Sequence, residues 1–132
     1  MAVAYTEAFI AIGADDFPAV VDFYRRLFGR EPDERIRDVY AAFRPPGLHL
    51  GIFAPRESNR SEFANPPGAG GGLSLVLGVS DVDRARGELA ALNPSRPPGP
   101  IESTRHGREF YAYDPDGNRL IIVERPHGVT GR

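Results

Sequence analysis

Three histidines, at positions 49, 106 and 127, five tyrosines and no cysteine bound the chemistry open to this chain. Without thiols, cysteine nucleophiles, thiolate metal sites and disulfides are excluded. There is no Gly-x-Ser-x-Gly elbow for serine hydrolysis. The run Gly68-Ala69-Gly70-Gly71-Gly72 lacks the lysine and the following Ser or Thr of a phosphate-cradling loop, so it reads as flexibility. A zinc or iron centre needs about three side-chain ligands and an open position. His106, in the loop before the last hairpin, has no such partners nearby in sequence, and His127 lies in a polar tail. The stretch around which the rest of the chain can be organised is residues 107–125, GREFYAYDPDGNRLIIVER. Its Asp114-Pro115-Asp116-Gly117 is turn chemistry: proline fixes φ, Asp bonds its own backbone and Gly accepts φ > 0. The flanking apolar runs then form a β-hairpin. With Asp114 opposite Asn118, Tyr111 opposes Ile121, and Glu109, Tyr111, Tyr113, Arg119, Ile121 and Val123 share one face. Phe110, Ala112, Leu120 and Ile122 make the other face, which is wholly apolar and must be covered.

The elements that position this hairpin come in two similar runs. Ala4 to Ile12 predicts a strand, ended by Gly13. Asp15 or Asp16 caps a helix to Phe28, with Pro18 in its first turn and Gly29 as its stop. Phe17, Val20, Val21, Tyr24, Leu27 and Phe28 follow the i, i+3, i+4 stripe of that helix. Arg35 to Asp38 predicts a charged edge strand. Val39 to Arg44 and Leu48 to Phe53 flank Pro45-Pro46-Gly47 as a hairpin. Ala54 to Gly72 has no periodicity and reads as linker. The order then restarts with a strand at Leu73 to Val79. A helix follows, opened by Ser80 with Asp83 and striped by Val82, Ala85, Leu89 and Leu92. Ile101 to Thr104 is a further edge strand before the hairpin.

At 132 residues the chain is long enough to bury a real core, and its net charge of −2 gives no reason to expect nucleic acid or a membrane as partner. No stretch approaches the span of a bilayer or a leader sequence. The composition predicts a cytoplasmic location.

Two stretches carry a resemblance. Asp22-Phe23-Tyr24-Arg25-Arg26-Leu27-Phe28-Gly29 is similar to the "FYxxxLG"-type helix end of the vicinal oxygen chelate superfamily, and Tyr113-Asp114-Pro115-Asp116-Gly117-Asn118 to its "DPDGN" turn. That superfamily includes glyoxalase I, bleomycin-resistance proteins and extradiol dioxygenases. With the doubled strand-helix-three-strand order, the resemblance spans roughly residues 5–125. It implies an α+β fold: two βαβββ modules forming a curved mixed sheet around a pocket, helices on the outer face. The expected organisation is a single domain of residues 1–132, with module one at about 4–54, linker 55–72, module two at about 73–125 and tail 126–132.

The resemblance also implies where a site would be. Metal-dependent members draw ligands from the first and last strands of each module, and those positions fall near Glu7, His49, Ser74 and Ile121. Glu7 and His49 are ligand types, Ser74 is a poor ligand and Ile121 cannot coordinate. The implied pocket wall is Phe9, Val39, Ala41, Phe43, His49 and Phe53 from one module, with Val76, Tyr111, Ile121 and Val123 from the other. The expectation is a metal-free protein that binds a small aromatic or apolar molecule in the inter-module cleft, as resistance or sequestration proteins do. The alternative is a divalent-metal lyase, isomerase or dioxygenase, with Glu7 and His49 as its ligands. The residues do not choose between binding and catalysis. A homodimer is expected, since open sheet edges need covering.

Overall fold

The computed structural model describes residues 3–64, 71–92, 94–105 and 107–125. The expectations for His106, His127, residues 68–70 and the tail from Pro126 lie outside the described residues. The chain divides into two units, residues 1–64 and 65–132.

The first unit runs β1 (Ile10–Gly13), α1 (Phe17–Phe28), β2 (Glu34–Ile36), β3 (Tyr40–Phe43) and β4 (Leu50–Phe53). Its sheet has the order β1-β4-β3-β2, with β1 parallel to β4 and the other pairs antiparallel. β1 is shorter than expected because its partner β4 begins at Leu50, which pairs with Ile10. Asp16 caps α1 by accepting from the Ala19 N–H at 3.2 Å, and Gly29 closes it in the left-handed conformation at φ 64°. Phe17, Val20, Val21 and Tyr24 are buried as the stripe predicts, together with Phe23, which the stripe omits. Phe23 and Tyr24 meet edge to face at 5.0 Å. Leu27 and Phe28 are only half-buried. At the sheet's outer end, Asp33 accepts from the Arg44 N–H at 2.6 Å and from Arg30, which holds its carboxyl below the usual carboxylate range.

Within the stretch expected as linker, Glu57–Phe63 is 3-10 helical with a kink at Asn59. Arg60 fastens it to the start of α1, donating to Asp15 Oδ1 at 2.6 Å and to the Asp15 carbonyl at 3.0 Å.

The second unit repeats the order: β5 (Leu75–Gly78), α2 (Val82–Ala90), β6 (Glu102–Thr104), β7 (Gly107–Tyr113) and β8 (Arg119–Glu124). Its sheet is β5-β8-β7-β6, with β5 parallel to β8. The two units are therefore both βαβββ modules with a four-stranded mixed sheet. Asp81, not the expected Ser80, caps α2 by accepting from the Arg84 N–H at 3.1 Å. The Val82 N–H donates to Glu124 Oε1 at 2.8 Å, a second tie for the same helix end.

The last hairpin has the register that its turn implies, with Tyr111 opposite Ile121 and Tyr113 opposite Arg119. Phe110, Ala112, Leu120 and Ile122 are all buried. Asp114 organises the turn from a fully buried position. Its Oδ1 accepts from the Asp116 and Asn118 N–H groups at 2.9 Å each, and its Oδ2 accepts from Asn118 Nδ2 at 2.8 Å. Asp114→Ala strands these donors and is expected to cost about 3 kcal/mol, read as a lowered urea midpoint. A loss within about 0.5 kcal/mol would refute this role for the carboxylate.

Candidate functional site

Each sheet has a helix-covered side and an open side within its own unit. In sheet one, Ala41, Phe43, Leu50 and Ile52 form the helix side, with Phe43 5.6 Å from Phe28 of α1. Tyr40 pairs with Phe53 and Ala42 with Gly51, so these residues and His49 form the open side. Phe43 and Ala41, expected in the pocket wall, are instead core residues with 0 % exposure. The physical reason is the register of the first hairpin, which pairs Ala41 with Ile52 and Phe43 with Leu50 and so turns both side chains to the face that α1 covers.

The open side of sheet one is paved with aromatic rings. Phe9 lies beside His49 because Ile10 pairs with Leu50, and the two rings stack at 4.5 Å and 16°. A side chain on Gly51 would meet the Tyr40 hydroxyl at 3.0 Å and Phe9 at 3.3 Å, so both rings reach over this bare backbone. The 3-10 helix lays Phe63 on Gly13, where a Cβ would be 2.7 Å from its ring, and edge-on to Phe53 at 5.0 Å. Phe9 and Phe63 nonetheless remain 45 % and 41 % exposed. His49 Nε2 is buried with no hydrogen-bond partner, a polar atom that a ligand's donor or acceptor could satisfy.

In sheet two, Val76, Ile121 and Tyr111 form one cross-strand row on the open side. Val76 and Tyr111 are 54 % and 46 % exposed, and Ile121 is half-buried. Glu109, the next residue along that face of β7, accepts from Thr104 Oγ1 at 3.2 Å. At the opposite end Arg119 donates from Nε to Ser74 Oγ at 2.7 Å and from Nη2 to the Gly71 carbonyl. Its guanidinium is 5.9 Å from the centre of the Tyr111 ring. Tyr113, cross-strand from Arg119, carries the Arg96 guanidinium 3.7 Å over its ring. A hollow of about 430 Å³ opens beside the turn, lined by Gly71, Gly72, Leu73, Gly117, Asn118 and Arg119.

The ligand positions implied for a metal fit poorly. Phe9, rather than the exposed Glu7, stands beside His49 and covers its ring. Ser74 is already bonded by the Arg119 guanidinium, whose positive charge opposes a cation at that point, and Ile121, across from Val76, supplies only an alkyl group. Among the described residues, no three His, Asp or Glu side chains converge as a metal site would require.

Sequence reasoning missed Tyr40, Phe63 and Arg96. Tyr40 follows from the correct register of the first hairpin. Phe63 and Arg96 lie in irregular stretches where no periodicity marks a face.

A family model described as the Glyoxalase/Bleomycin resistance protein/Dioxygenase superfamily matches residues 8–122. Among solved structures, the chain is similar to a protein from Agrobacterium tumefaciens determined by solution NMR, at 25 % identity over 89 % of this chain and 95 % of that one, TM-score 0.70. It is similar to the bleomycin-binding protein of bleomycin-producing Streptomyces verticillus, determined in complex with copper(II)-bleomycin, at 25 % identity over 95 % and 100 % of the two chains, TM-score 0.60. A glyoxalase-related enzyme from Fulvimarina pelagi shares the fold at 22 % identity over 98 % and 96 %, TM-score 0.67. No curated protein matches the sequence.

Proposed function

The chain belongs to the glyoxalase/bleomycin resistance protein/dioxygenase superfamily, and from that premise we propose that it is a metal-independent binder of a small aromatic or apolar molecule, of the resistance or sequestration type. The observation that carries this reading is the aromatic paving of sheet one's open side, where Phe9 and Tyr40 lie over Gly51 and Phe63, edge-on to Phe53, lies over Gly13. Rings that remain partly exposed offer stacking area, and the orphaned His49 Nε2 offers one polar handle. The Val76–Ile121–Tyr111 row on sheet two is a second apolar face of the same make-up. The Streptomyces verticillus relative, whose complex holds copper(II)-bleomycin, supports the sequestration type. The poor donor set at the implied ligand positions supports metal independence. No helix among the described residues is long and apolar enough to cross a membrane, and the proposed place of action is the cytoplasm.

Area and stacking dominate in this reading, so Phe53→Ala and Tyr111→Ala should each weaken an aromatic ligand by about 2 kcal/mol. His49→Ala should weaken it by about 1 kcal/mol or less, the net worth of one hydrogen bond. Calorimetric titration of a panel of planar aromatic compounds against the three variants measures this ranking. Elemental analysis of protein purified without chelator accompanies it. Stoichiometric divalent metal, with activity lost on chelation and restored by nickel, zinc, manganese or iron(II), would instead establish the lyase, isomerase or dioxygenase reading.

Homodimerisation is part of the proposal. β1 is an edge of its sheet and exposes Ile10 and Ala11, an unpaired apolar edge of the kind that a second copy covers. Light scattering at high micromolar concentration should give twice the chain mass; a monomer there would remove this element.

A further inference from the structure

The charge at the Arg119 end of sheet two selects among small molecules. A guanidinium has five N–H donors. Arg119 spends two of them on neutral acceptors, the Ser74 hydroxyl and the Gly71 carbonyl. These bonds fix the plane of the group without neutralising it and leave the Nη1 edge available. Arg96 rests on the Tyr113 ring, so a second guanidinium sits at the same end of the face. Neither group has a carboxylate partner among the described residues; the arginine on the strand's outer end, Arg108, by contrast holds Asp83 at 2.9 Å. The acidic residue of the face, Glu109, lies on the far side of Tyr111 and is engaged by Thr104. A ring on Tyr111 thus has positive charge at one end, next to the hollow that Arg119 lines.

We propose that Arg119, supported by Arg96, is an oxyanion subsite, so that the molecule held on sheet two is an aromatic acid with its ring on Tyr111 and its carboxylate or phosphate on the free edge of the Arg119 guanidinium. A planar fork matches either oxyanion in a two-bond contact. A cationic ligand meets repulsion at the same place. The inference rests on the aromatic-binding reading for its ring, and for its charge on Arg119 as the contact with Arg96 as the second guanidinium at that end.

Phenylacetate, phenyl phosphate, phenylacetamide and phenethylamine, titrated by calorimetry into the full chain, separate the two. The expected result is that at least one acid binds about tenfold tighter than the amide. The better of the two acids identifies the oxyanion class. Arg119→Gln should bring that acid to the level of the amide and leave the amide unchanged. Arg119→Lys keeps the charge but loses the fork, so it should retain part of the preference, and that part should fall at about 0.5 M salt. Arg84→Gln, on the exposed face of α2, should change nothing. Acid and amide binding equally, with both weakened by Tyr111→Ala, would overturn the oxyanion subsite and leave the aromatic reading standing. A preference that survives in Arg119→Gln would also overturn it. If Arg119→Gln does not fold, an acid preference in wild type that is salt-independent and unaltered in Arg119→Lys overturns it equally. Binding of no probe at all would overturn both readings.

Discussion

Phe43→Ala is expected to destabilise the protein by about 3–5 kcal/mol while leaving aromatic-ligand binding by the folded fraction unchanged. The ring has 0 % exposure and packs on Phe28, between α1 and the Leu50–Ile52 side of β4. Truncation removes the transfer free energy of a whole phenyl group and leaves a cavity that α1 can collapse into only partly. Phe53→Ala makes the complementary case, because its ring is half-buried on the open side against Phe63. It should cost less stability and more affinity. Urea unfolding monitored by circular dichroism, with titration of the aromatic panel into each variant, compares them. A stability loss below about 1 kcal/mol for Phe43→Ala, or an affinity loss larger than that of Phe53→Ala, would return Phe43 to the ligand wall and reverse the faces of sheet one. The half-buried Phe28, at the end of the helical stripe, should lose less than Phe43 on the same substitution.

The two hairpins explain why half of the site was legible and half was not. In the second hairpin the turn dictates the register. Asp114 is bonded to the backbone of Asp116 and Asn118, and the Asp114 N–H donates to the Asn118 carbonyl at 3.0 Å. The sequence Asp-Pro-Asp-Gly-Asn therefore leads directly to Tyr111 beside Ile121. In the first hairpin the Leu48 N–H donates to the Pro45 carbonyl at 3.1 Å across Pro46-Gly47, and Phe43 pairs with Leu50 beyond that turn. Either proline of the pair suits a turn start, so the turn residues alone do not choose the register. The strand Tyr40-Ala41-Ala42-Phe43 is apolar on both faces, so alternation gives no second clue to its register. α1 decides it by taking Phe43. The helix itself was legible because cap, stripe and stop agree. Arg119's bonds to Ser74 and Gly71 join residues more than forty positions apart, and nothing local in either stretch announces them. The same holds for Phe63 on Gly13: a lone aromatic in a turn-rich stretch meets a glycine that had read only as a strand end.

Gly107→Ala should be the other strongly damaging substitution, with an expected loss of about 3–5 kcal/mol. Gly107 opens β7 at φ +127°, a conformation that an L side chain rarely adopts. An added Cβ would stand 2.2 Å from the Glu124 carbonyl oxygen and 3.0 Å from the Arg125 Cα. Both are backbone atoms at the end of β8, so no side-chain rotation relieves the overlap, and β7 and β8 must separate. The damage reaches further because three contacts converge there. Gly107 pairs with Thr104 of β6, Arg108 pairs with Glu124, and Glu124 Oε1 accepts from the first N–H of α2. Glu109 and Tyr111 follow on the same strand, so ligand binding on sheet two should weaken even at temperatures where the variant remains folded. Gly87→Ala is the control for glycine removal as such. Gly87 lies inside α2 with open space where its Cβ would be, and alanine there should stabilise by about 0.5–1 kcal/mol. Urea midpoints of the two variants should therefore move in opposite directions. A Gly107→Ala variant within about 1 kcal/mol of wild type, with its ligand affinity intact, would mean that β7 does not begin against the end of β8.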